Sequence, residues 1–505
     1  MLFNSYIFWV FFGIVYLLYR GLGFRGQNRM LLVASYVFYG FWDYRFLALM
    51  FVTSVIDFYI GISIDAAGLP PPHRMKPGAA APIAPATEAE IRGNAVRRRW
   101  MLLSVAMNLG LLGFFKYFNF FSENAQALLL ALGFNVTPWT LSIILPVGIS
   151  FYTFQEMSYI IDIYRGDLKP ARNFVDFALF ISFFPHLVAG PIQHSTWLLP
   201  QIQNPRPRNE SQFAEGLYHV ILGLFKKVVI DDNMASIADA VFFSNPAKLT
   251  GPECLIGVYA FAFQIYGDFS GYSSIAQGIA KWLGFDFMDN FKMPYFAVSP
   301  SDFWQRWHIG LSTWLRDYLY IPLGGNRGGG WKTYRNLMLT MLLGGLWHGA
   351  AWTFVAWGLF HGLLLCGYRL FEQPAPKKNP ELPAKPITEL QKPLWMRLAL
   401  MCLMFHFVCL GWLFFRADSM GQAWTMAARM LTDFTVTPLV KSSLAMIVFY
   451  TGPLWMFEFW LWMKDDLLAV LKIDWRMRGL AYNYCALMLM FFPAEIVHEF
   501  IYFQF

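Results

Sequence analysis

The sequence predicts an all-helical protein that crosses a membrane many times. Hydrophobic residues make up 57% of the 505 positions, aromatic residues 19% and charged residues only 14%, whereas about a quarter of the residues in a soluble domain are charged. The apolar runs are long and continuous, which is typical of membrane helices and not of the short alternating strands of a β-barrel. We therefore expect a polytopic helical protein dissolved in a lipid bilayer.

About eleven apolar stretches approach the length that crosses roughly 30 Å of hydrocarbon. The predicted spans are 1–19, 30–42, 46–64, 100–118, 139–163, 213–231, 252–280, 334–365, 398–415, 443–463 and 479–503. The stretches 174–199, 232–246 and 300–325 are more polar or richer in proline and suit re-entrant or interfacial helices. Irregular backbone at membrane depth is tolerated only where protein or a wet cavity surrounds it, so these stretches predict an internal tunnel.

Lysine and arginine residues predict the orientation. They collect in 20–29, 65–99, 366–397 and 464–478, and basic loops stay on the cytoplasmic side of a membrane. Both chain ends are then expected on the opposite side. This topology explains the formal net charge of +7, so the charge does not predict a nucleic-acid partner.

One membrane domain, 1–505, is expected to account for the whole chain. The segments 66–99 and 366–397 are rich in proline and charge and predict flexible cytoplasmic loops. The amino-terminal apolar run is interpreted as a retained first span. The five cysteines form no C-x-x-C pair, and we expect neither a disulfide framework nor a metal site.

Two histidines in tryptophan-rich segments are the candidate catalytic residues. His348 is predicted near the middle of span 334–365, where an ionisable side chain is costly unless it faces protein or water. His308 is predicted on an amphipathic helix that starts at the N-cap Ser299 and runs to Tyr318. A neutral buried imidazole can accept a proton near neutral pH, which indicates general-base chemistry. His361, His406 and His186 are interpreted as structural.

Further polar and aromatic residues are expected to line a substrate tunnel, although helix packing explains the small-residue patch 266–273 almost as well. The tunnel candidates are Trp307, Trp347, Asp268, Gln264, Tyr266 and Arg306. The glycine-rich basic loop 324–330 has two interpretations. It is either a site for the phosphates of an anionic donor or an ordinary cytoplasmic turn.

Five sequence blocks, which follow one another in a fixed order, carry a family resemblance that covers residues 1 to about 500. They are Phe151–Gln155 with Ile161–Arg165, Phe183–Ile192, Tyr266–Tyr272, Phe303–Ile309 and Leu346–Gly349. Together they resemble the membrane-bound O-acyltransferase (MBOAT) superfamily, in particular its bacterial branch that acetylates polysaccharides. The resemblance implies a helical body around a tunnel, with His348 as the catalytic histidine and His308 as a second active-site residue.

The resemblance also implies the substrates and the location. Acetyl-CoA would be the cytoplasmic donor and no cofactor would be bound. The acetyl group would pass across a bacterial inner membrane to a periplasmic partner acetyltransferase, and then to a polysaccharide such as alginate or cellulose. In the orientation predicted from the basic loops, both chain ends would be periplasmic.

The expected mechanism is direct transfer, in which His348 takes the proton of an acceptor hydroxyl that attacks the thioester. A covalent acyl-enzyme is less favoured because no serine or cysteine occupies an obvious nucleophile motif. Three alternatives remain. These are D-alanyl transfer to teichoic acid from a carrier-protein thioester, a proton-coupled transporter that uses the histidines as a relay, and a noncatalytic membrane scaffold.

Overall fold

Regular structure in this protein is helical, and no strand occurs in the part of the chain that the structure describes. The computed structural model describes residues 1–68, 88–137, 139–142, 144–187, 190–206, 209–327, 329–371, 393–496, 498 and 500–501. Most of the two predicted flexible loops, 66–99 and 366–397, lies outside these residues. The all-helical fold class is confirmed for the described residues.

The described α-helices range from four to 32 residues in length. In chain order they are α1 Tyr6–Gly21, α2 Phe24–Asp43, α3 Arg45–Ala66, α4 Glu88–Leu112, α5 Phe118–Ala131, α6 Ile149–Arg165, α7 Phe174–Ser182, α8 Phe184–Leu187, α9 Ser195–Gln203, α10 Glu210–Leu224, α11 Asp232–Phe242, α12 Gly251–Trp282, α13 Pro300–Trp304, α14 Ile309–Leu315, α15 Gly330–His348, α16 Trp352–Phe371, α17 Leu394–Arg416, α18 Met420–Thr432, α19 Pro438–Lys464 and α20 Trp475–Phe491. Single π-helical segments continue α4, α10 and α14.

The chain divides into two compact units. The first contains 1–220 and 275–288, and the second contains 221–274 and 289–505. The first two boundaries fall within α10 and α12, and the third lies between α12 and α13. All candidate site residues predicted from the sequence belong to the second unit. The single-domain organisation stays a prediction.

Five of the described helices are long and apolar enough to cross a membrane. They are α3, the continuous helix 92–131, α16, α17 and α19. Several such helices in one chain support a multi-pass membrane protein. The predicted number of about eleven spans remains a prediction.

The predicted span 334–365 is wrong, because the chain forms two antiparallel helices there. Helix α15 ends at His348, Gly349 has extended backbone, and α16 starts at Trp352. A straight helix of this length would be roughly 48 Å long, well beyond the hydrocarbon thickness. His348 therefore lies at a helix end and not in the middle of a span.

Two glycines let the helices of this hairpin approach closely. A Cβ atom added at Gly345 would lie 2.3 Å from the carbonyl oxygen of Phe354, and one at Gly358 would lie 2.4 Å from that of Met341. Real Cβ atoms do not approach carbonyl oxygens so closely. The hairpin backbone is thus in direct contact, which fixes His348 relative to α16.

The predicted amphipathic helix from Ser299 to Tyr318 is also interrupted. Ser299 caps its start, as predicted, by accepting a hydrogen bond from the backbone N–H of Asp302. The first piece, α13, then ends at Trp304, and α14 begins only at Ile309. His308 lies in the break.

Two other predicted spans have different bounds. The apolar stretch 139–163 becomes helical only at Ile149, because Gly148 before it has a left-handed backbone with φ of +75°. In the stretch 479–503, the α-helix α20 ends at Phe491. Apolar composition therefore extends beyond the helix in both places.

The first unit contains a buried arginine that holds two helix ends. The guanidinium of Arg97 donates to the carbonyl oxygens of Ile64 and Ile163, each at 2.8 Å, and also to those of Gly68 and Tyr164. These carbonyls lie at or just beyond the carboxyl ends of α3 and α6, where backbone oxygens lack helical partners and carry partial negative charge. Arg97 therefore ties α4 to two helices.

The close contact in the α15–α16 hairpin can be tested with Gly358→Ala. The added methyl group collides with Met341 O, so the two helices must separate. We expect the free energy of unfolding to fall by about 1–3 kcal/mol, measured as a lower midpoint of thermal unfolding in detergent. Gly367→Ala is the matched control, because a Cβ there meets nothing within 4 Å. Equal midpoints for the two variants would contradict this packing.

Candidate active site

His348 is enclosed by aromatic rings at the carboxyl end of α15. Its side chain is buried, with 3% of the residue exposed. Its ring centre lies 4.9 Å from that of Trp357, 5.1 Å from that of Trp347 and 5.2 Å from that of Phe415. Helices α15, α16 and α17 thus each contribute one wall, and the imidazole is held in a largely apolar setting.

His308 lies beside His348, and its backbone is unusual. The residue is completely buried and has a φ of +44°, a left-handed conformation that is uncommon outside glycine. Its ring centre lies 6.5 Å from that of His348, 5.9 Å from that of Trp347 and 4.6 Å from that of Phe269. The helix break therefore brings the two predicted histidines together.

Asn290 holds the break open through its backbone and side chain. Its carbonyl oxygen accepts from the N–H of Ile309 at 2.9 Å. Its Oδ1 atom accepts from the N–H of Gly310 at 3.2 Å and lies 3.1 Å from Nδ1 of His308. Its Nδ2 atom donates to the hydroxyl of Ser273 at 3.0 Å. These bonds satisfy donors at the start of α14 that the break leaves without helical partners.

This network assigns the tautomer of His308. A backbone N–H can only donate, so the Asn290 atom that faces Gly310 must be the oxygen. The same oxygen can only accept, and therefore Nδ1 of His308 carries the proton. In the neutral ring Nε2 then holds a lone pair. Nε2 is buried and has no hydrogen-bond partner among the described residues, so it is available to accept a proton or a hydrogen bond from a substrate.

The two predicted tunnel tryptophans have different surroundings. Trp347 lies beside both histidines, with its ring centre 5.9 Å from that of His308 and 5.1 Å from that of His348. Trp307 is buried in an aromatic layer, with its ring centre 4.8 Å from that of Trp412 and 5.0 Å from that of Phe291. Trp347 is thus placed at the histidine pair, whereas Trp307 belongs to the neighbouring aromatic layer.

Asp268 belongs to a charged cluster. Its Oδ1 atom lies 3.0 Å from Nζ of Lys227, which also contacts Asp231 and lies 3.2 Å from Asp232. Its other oxygen accepts from the backbone N–H of Ile501 at 2.6 Å. The carboxylate is therefore engaged by Lys227 and by the backbone of Ile501.

Tyr266 links a second buried ion pair to the aromatic layer. Its hydroxyl donates to Glu458 at 2.5 Å, and Lys226 lies 3.3 Å from the same carboxylate oxygen. Its ring centre lies 6.3 Å from that of Trp307. Tyr266 thus contacts Trp307 through its ring, while its hydroxyl is bound to Glu458.

For two predicted tunnel residues, Gln264 and Arg306, the polar contacts found do not involve the histidine pair. Gln264 is buried, and its Oε1 atom has no hydrogen-bond partner among the described residues. Arg306 forms an ion pair with Asp302 at 2.7 Å and donates to the carbonyl oxygen of Lys292. Within the described part of the chain, no three His, Cys, Asp or Glu side chains are grouped as metal ligands.

The sequence interpretation missed three residues of this site. Asn290, Trp357 and Phe415 fix or enclose the two imidazoles. Asn290 lies in an irregular segment, and the two aromatic residues occur in apolar runs with many others. Only the proximity of Trp357 to His348 along the chain gave a usable signal.

Comparisons with known proteins identify similar sequences over most of the chain. Residues 171–381 match the model of the MBOAT, membrane-bound O-acyltransferase, family. Over 449 residues the chain is 42% identical to the "probable alginate O-acetylase AlgI" of Azotobacter vinelandii, covering 88% of this chain and 81% of that protein.

Two other relatives carry different names. The chain is 35% identical to the peptidoglycan O-acetyltransferase of Helicobacter pylori, covering 84% of this chain and 78% of that protein. It is 28% identical to the teichoic acid D-alanyltransferase of Bacillus subtilis, covering 53% of this chain and 68% of that protein. The similarity is thus higher and longer for the two O-acetylating relatives.

The role of Asn290 in the break can be tested with Asn290→Ala. The change leaves the N–H of Gly310 and Nδ1–H of His308 buried without their acceptor, which costs about 1–3 kcal/mol of stability. We expect a lower midpoint of thermal unfolding in detergent. Asn204→Ala, at an exposed position, is the control and should change stability by less than about 0.5 kcal/mol. A midpoint for Asn290→Ala equal to that of the control would contradict the hydrogen-bond assignment.

Proposed function

The chain belongs to the membrane-bound O-acyltransferase family, and from this premise we propose that it transfers acetyl groups from cytoplasmic acetyl-CoA for the O-acetylation of an exported polysaccharide. Family membership confirms the resemblance predicted from the sequence blocks and makes the protein a multi-pass membrane O-acyltransferase. Acetyl transfer is favoured over D-alanyl transfer by the longer and closer similarity to O-acetylating relatives.

The observation that carries the proposal is the pair of buried histidines. His308 and His348 have ring centres 6.5 Å apart, and Nε2 of His308 has an unused lone pair. One hydroxyl oxygen between two rings at this separation can lie within about 2.8–3.2 Å of a nitrogen on each. The pair is thus suited to a neutral acceptor hydroxyl that must lose its proton.

In the proposed mechanism, His348 takes the proton from the acceptor hydroxyl while that oxygen attacks the thioester carbonyl carbon. The new C–O bond forms, the C–S bond breaks, and the proton passes from His348 to the departing thiolate. The products are an acetyl ester and a free thiol. His308 accepts a hydrogen bond from the hydroxyl through Nε2 and orients it for attack.

The rings around His348 support this chemistry in a second way. Trp347, Trp357 and Phe415 exclude bulk water from the imidazole. Exclusion of water protects the thioester from hydrolysis and strengthens electrostatic interactions inside the site. Direct transfer, without a covalent acyl-enzyme, therefore remains our preferred route.

We further propose the membrane setting and the acceptor. The protein lies in a bacterial inner membrane with about eleven spans, with its basic loops in the cytoplasm and both ends in the periplasm. The acetyl group passes to a periplasmic partner acetyltransferase and from it to the polymer. The names of the alginate and peptidoglycan relatives support a polysaccharide as the final acceptor and leave its identity to experiment.

The proposal can be tested with purified protein in vesicles, supplied with labelled acetyl-CoA, with and without a candidate periplasmic partner. We expect His348→Ala to lower acetyl transfer by roughly 10²–10⁴-fold, as loss of a general base does. His308→Ala should reduce the rate less, because it removes orientation and leaves the base. The measurement is the rate of labelled product and thiol formation.

His406→Ala is the matched control, since His406 is an exposed histidine bonded to Tyr259 on the surface of α17. It should retain activity. A wild type that turns over no acyl thioester would refute the enzyme proposal and favour a transporter. Unchanged polymer acetylation in His348→Ala would favour a scaffold. Faster turnover of a D-alanyl carrier-protein thioester than of acetyl-CoA would favour the teichoic acid branch.

A further inference from the structure

His361 is a buried histidine whose nitrogens are both unused. Only 1% of the residue is exposed, and neither Nδ1 nor Nε2 has a hydrogen-bond partner among the described residues. An unpaired buried polar group costs about 1–3 kcal/mol. The sequence interpretation treated His361 as structural, yet it makes no hydrogen bond that would give it a structural role.

The rings around His361 carry further unused donors. Its ring stacks on Phe303 at 5.9 Å and lies 5.3 Å from Trp304 and 4.8 Å from Trp357. The indole N–H groups of Trp304 and Trp357 are also buried without hydrogen-bond partners among the described residues. We refer to His361, Trp304 and Trp357 as the His361 cluster. It combines two indole donors with an imidazole that donates once and accepts once.

The His361 cluster is directly connected to the histidine pair. Trp357 contacts His361 on one side and His348 on the other, at 4.8 and 4.9 Å between ring centres. The two imidazole centres are therefore less than about 10 Å apart. A single extended molecule can contact the cluster and place its reactive atom at His348.

His361 lies between His348 and the opposite end of the α15–α16 hairpin, and that opposite end carries basic residues. Because α15 and α16 are antiparallel, the first turns of α15 and the last turn of α16 lie at the same end. Lys332, Arg335 and Arg369 are found there, and Arg369 is roughly 12 Å beyond His361 along the helix axis. Cations, the neutral His361 cluster and His348 thus follow one another in this order.

We propose that the His361 cluster binds an amide group in the pantetheine arm of the acyl donor. This inference rests on the proposed function, since it assigns a binding site for the donor of that reaction. A coenzyme A thioester carries phosphates, then a neutral arm with two amides, then the thioester. The same order of chemistry is found along the hairpin, with cations for phosphates and His348 for the thioester.

The composition of the cluster selects an amide over other groups. An amide carbonyl accepts from an indole N–H, and an amide N–H donates to the imidazole lone pair, so one planar group matches both kinds of partner. The ring contacts of His361 are with aromatic side chains, which provide no charge to bind a phosphate or carboxylate. The aromatic walls pack against the methylene groups of the arm.

The test compares two acetyl donors in vesicles that contain the full chain. S-acetylpantetheine has both amides and no phosphate, whereas S-propyl thioacetate has no amide. We expect His361→Phe to lower kcat/KM for S-acetylpantetheine roughly tenfold and to leave that for S-propyl thioacetate unchanged. His361→Gln, which can still donate and accept, should restore most of the preference. The readout is the ratio of the two kcat/KM values within each variant.

Gly411→Ala gives a second route to the same answer if His361→Phe does not fold. A Cβ atom at Gly411 would lie 2.8 Å from Nε2 of His361, so the ring must move while its chemistry is kept. The donor ratio should fall here as well. His406→Phe, on the same helix α17 as Gly411, is the control and should keep the wild-type ratio.

Two outcomes would overturn the inference while the proposed function stands. An active His361→Phe variant with the wild-type ratio would mean that water, and not the donor, occupies the cluster. An equal loss with both donors would mean that His361 acts on the fold or on the transfer step. If the wild type turns over neither of these donors nor acetyl-CoA, the proposed function itself fails, and this inference fails with it.

Discussion

The break between α13 and α14 depends on hydrogen bonds from the segment around Asn290. An interrupted helix inside a membrane protein exposes N–H and C=O groups that lipid cannot satisfy. Here Asn290 accepts from the N–H groups of Ile309 and Gly310, and Lys292 donates its N–H to the carbonyl oxygen of Arg306. The break can therefore persist without water, and it turns His308 towards His348. Without this pairing a continuous helix would be favoured, and His308 would occupy a different position.

Buried polar groups in this protein differ in whether they have a protein partner. Those with a partner stabilise the fold, and some of those without one are functional candidates. Lys227 is surrounded by carboxylates, and Lys226 pairs with Glu458, so these charges compensate one another within the second unit. Breaking such a pair by removing one partner is strongly destabilising. By contrast, Nε2 of His308 and both nitrogens of His361 stay without protein partners in the described residues. The roles proposed for His308 and His361 rest on these unused nitrogens.

Much of the fold could be predicted from the sequence, because apolar length alone determines many helices. The predicted span 252–280 differs from α12 by only a few residues, since proline and glycine bound an otherwise apolar run. The same signal failed at 334–365, where Gly349 and its alanine neighbours are apolar enough to hide a break. The break is stabilised by tertiary packing of the hairpin, which hydropathy does not measure.

The candidate active site, like the fold, could be predicted from the sequence only in part. The two histidines were predictable because ionisable residues are rare in apolar, tryptophan-rich segments. The partner of Asp268 was not, because Lys227 lies far from it along the chain and nothing in the local pattern connects them. Asn290 carries no periodic signal, and its importance depends on the conformation of the residues it bonds. Local composition thus identified the two candidate histidines and missed the residues that position them.

The position of His348 at a helix end changes how its proposed chemistry is stabilised. A histidine that accepts a proton becomes positively charged, and hydrolases with a Ser-His-Asp arrangement stabilise that charge with a carboxylate. Asp268, the acid predicted for this region, is engaged by Lys227 instead. The carboxyl end of α15 carries a partial negative charge of roughly half a unit, which stabilises a nearby cation by about 0.3–2 kcal/mol. Aromatic rings such as that of Trp357, 4.9 Å from His348, also attract cations through their faces. The helix end and the aromatic walls can therefore help to stabilise the charge of a protonated His348, and neither of them places a permanent charge in a water-poor site.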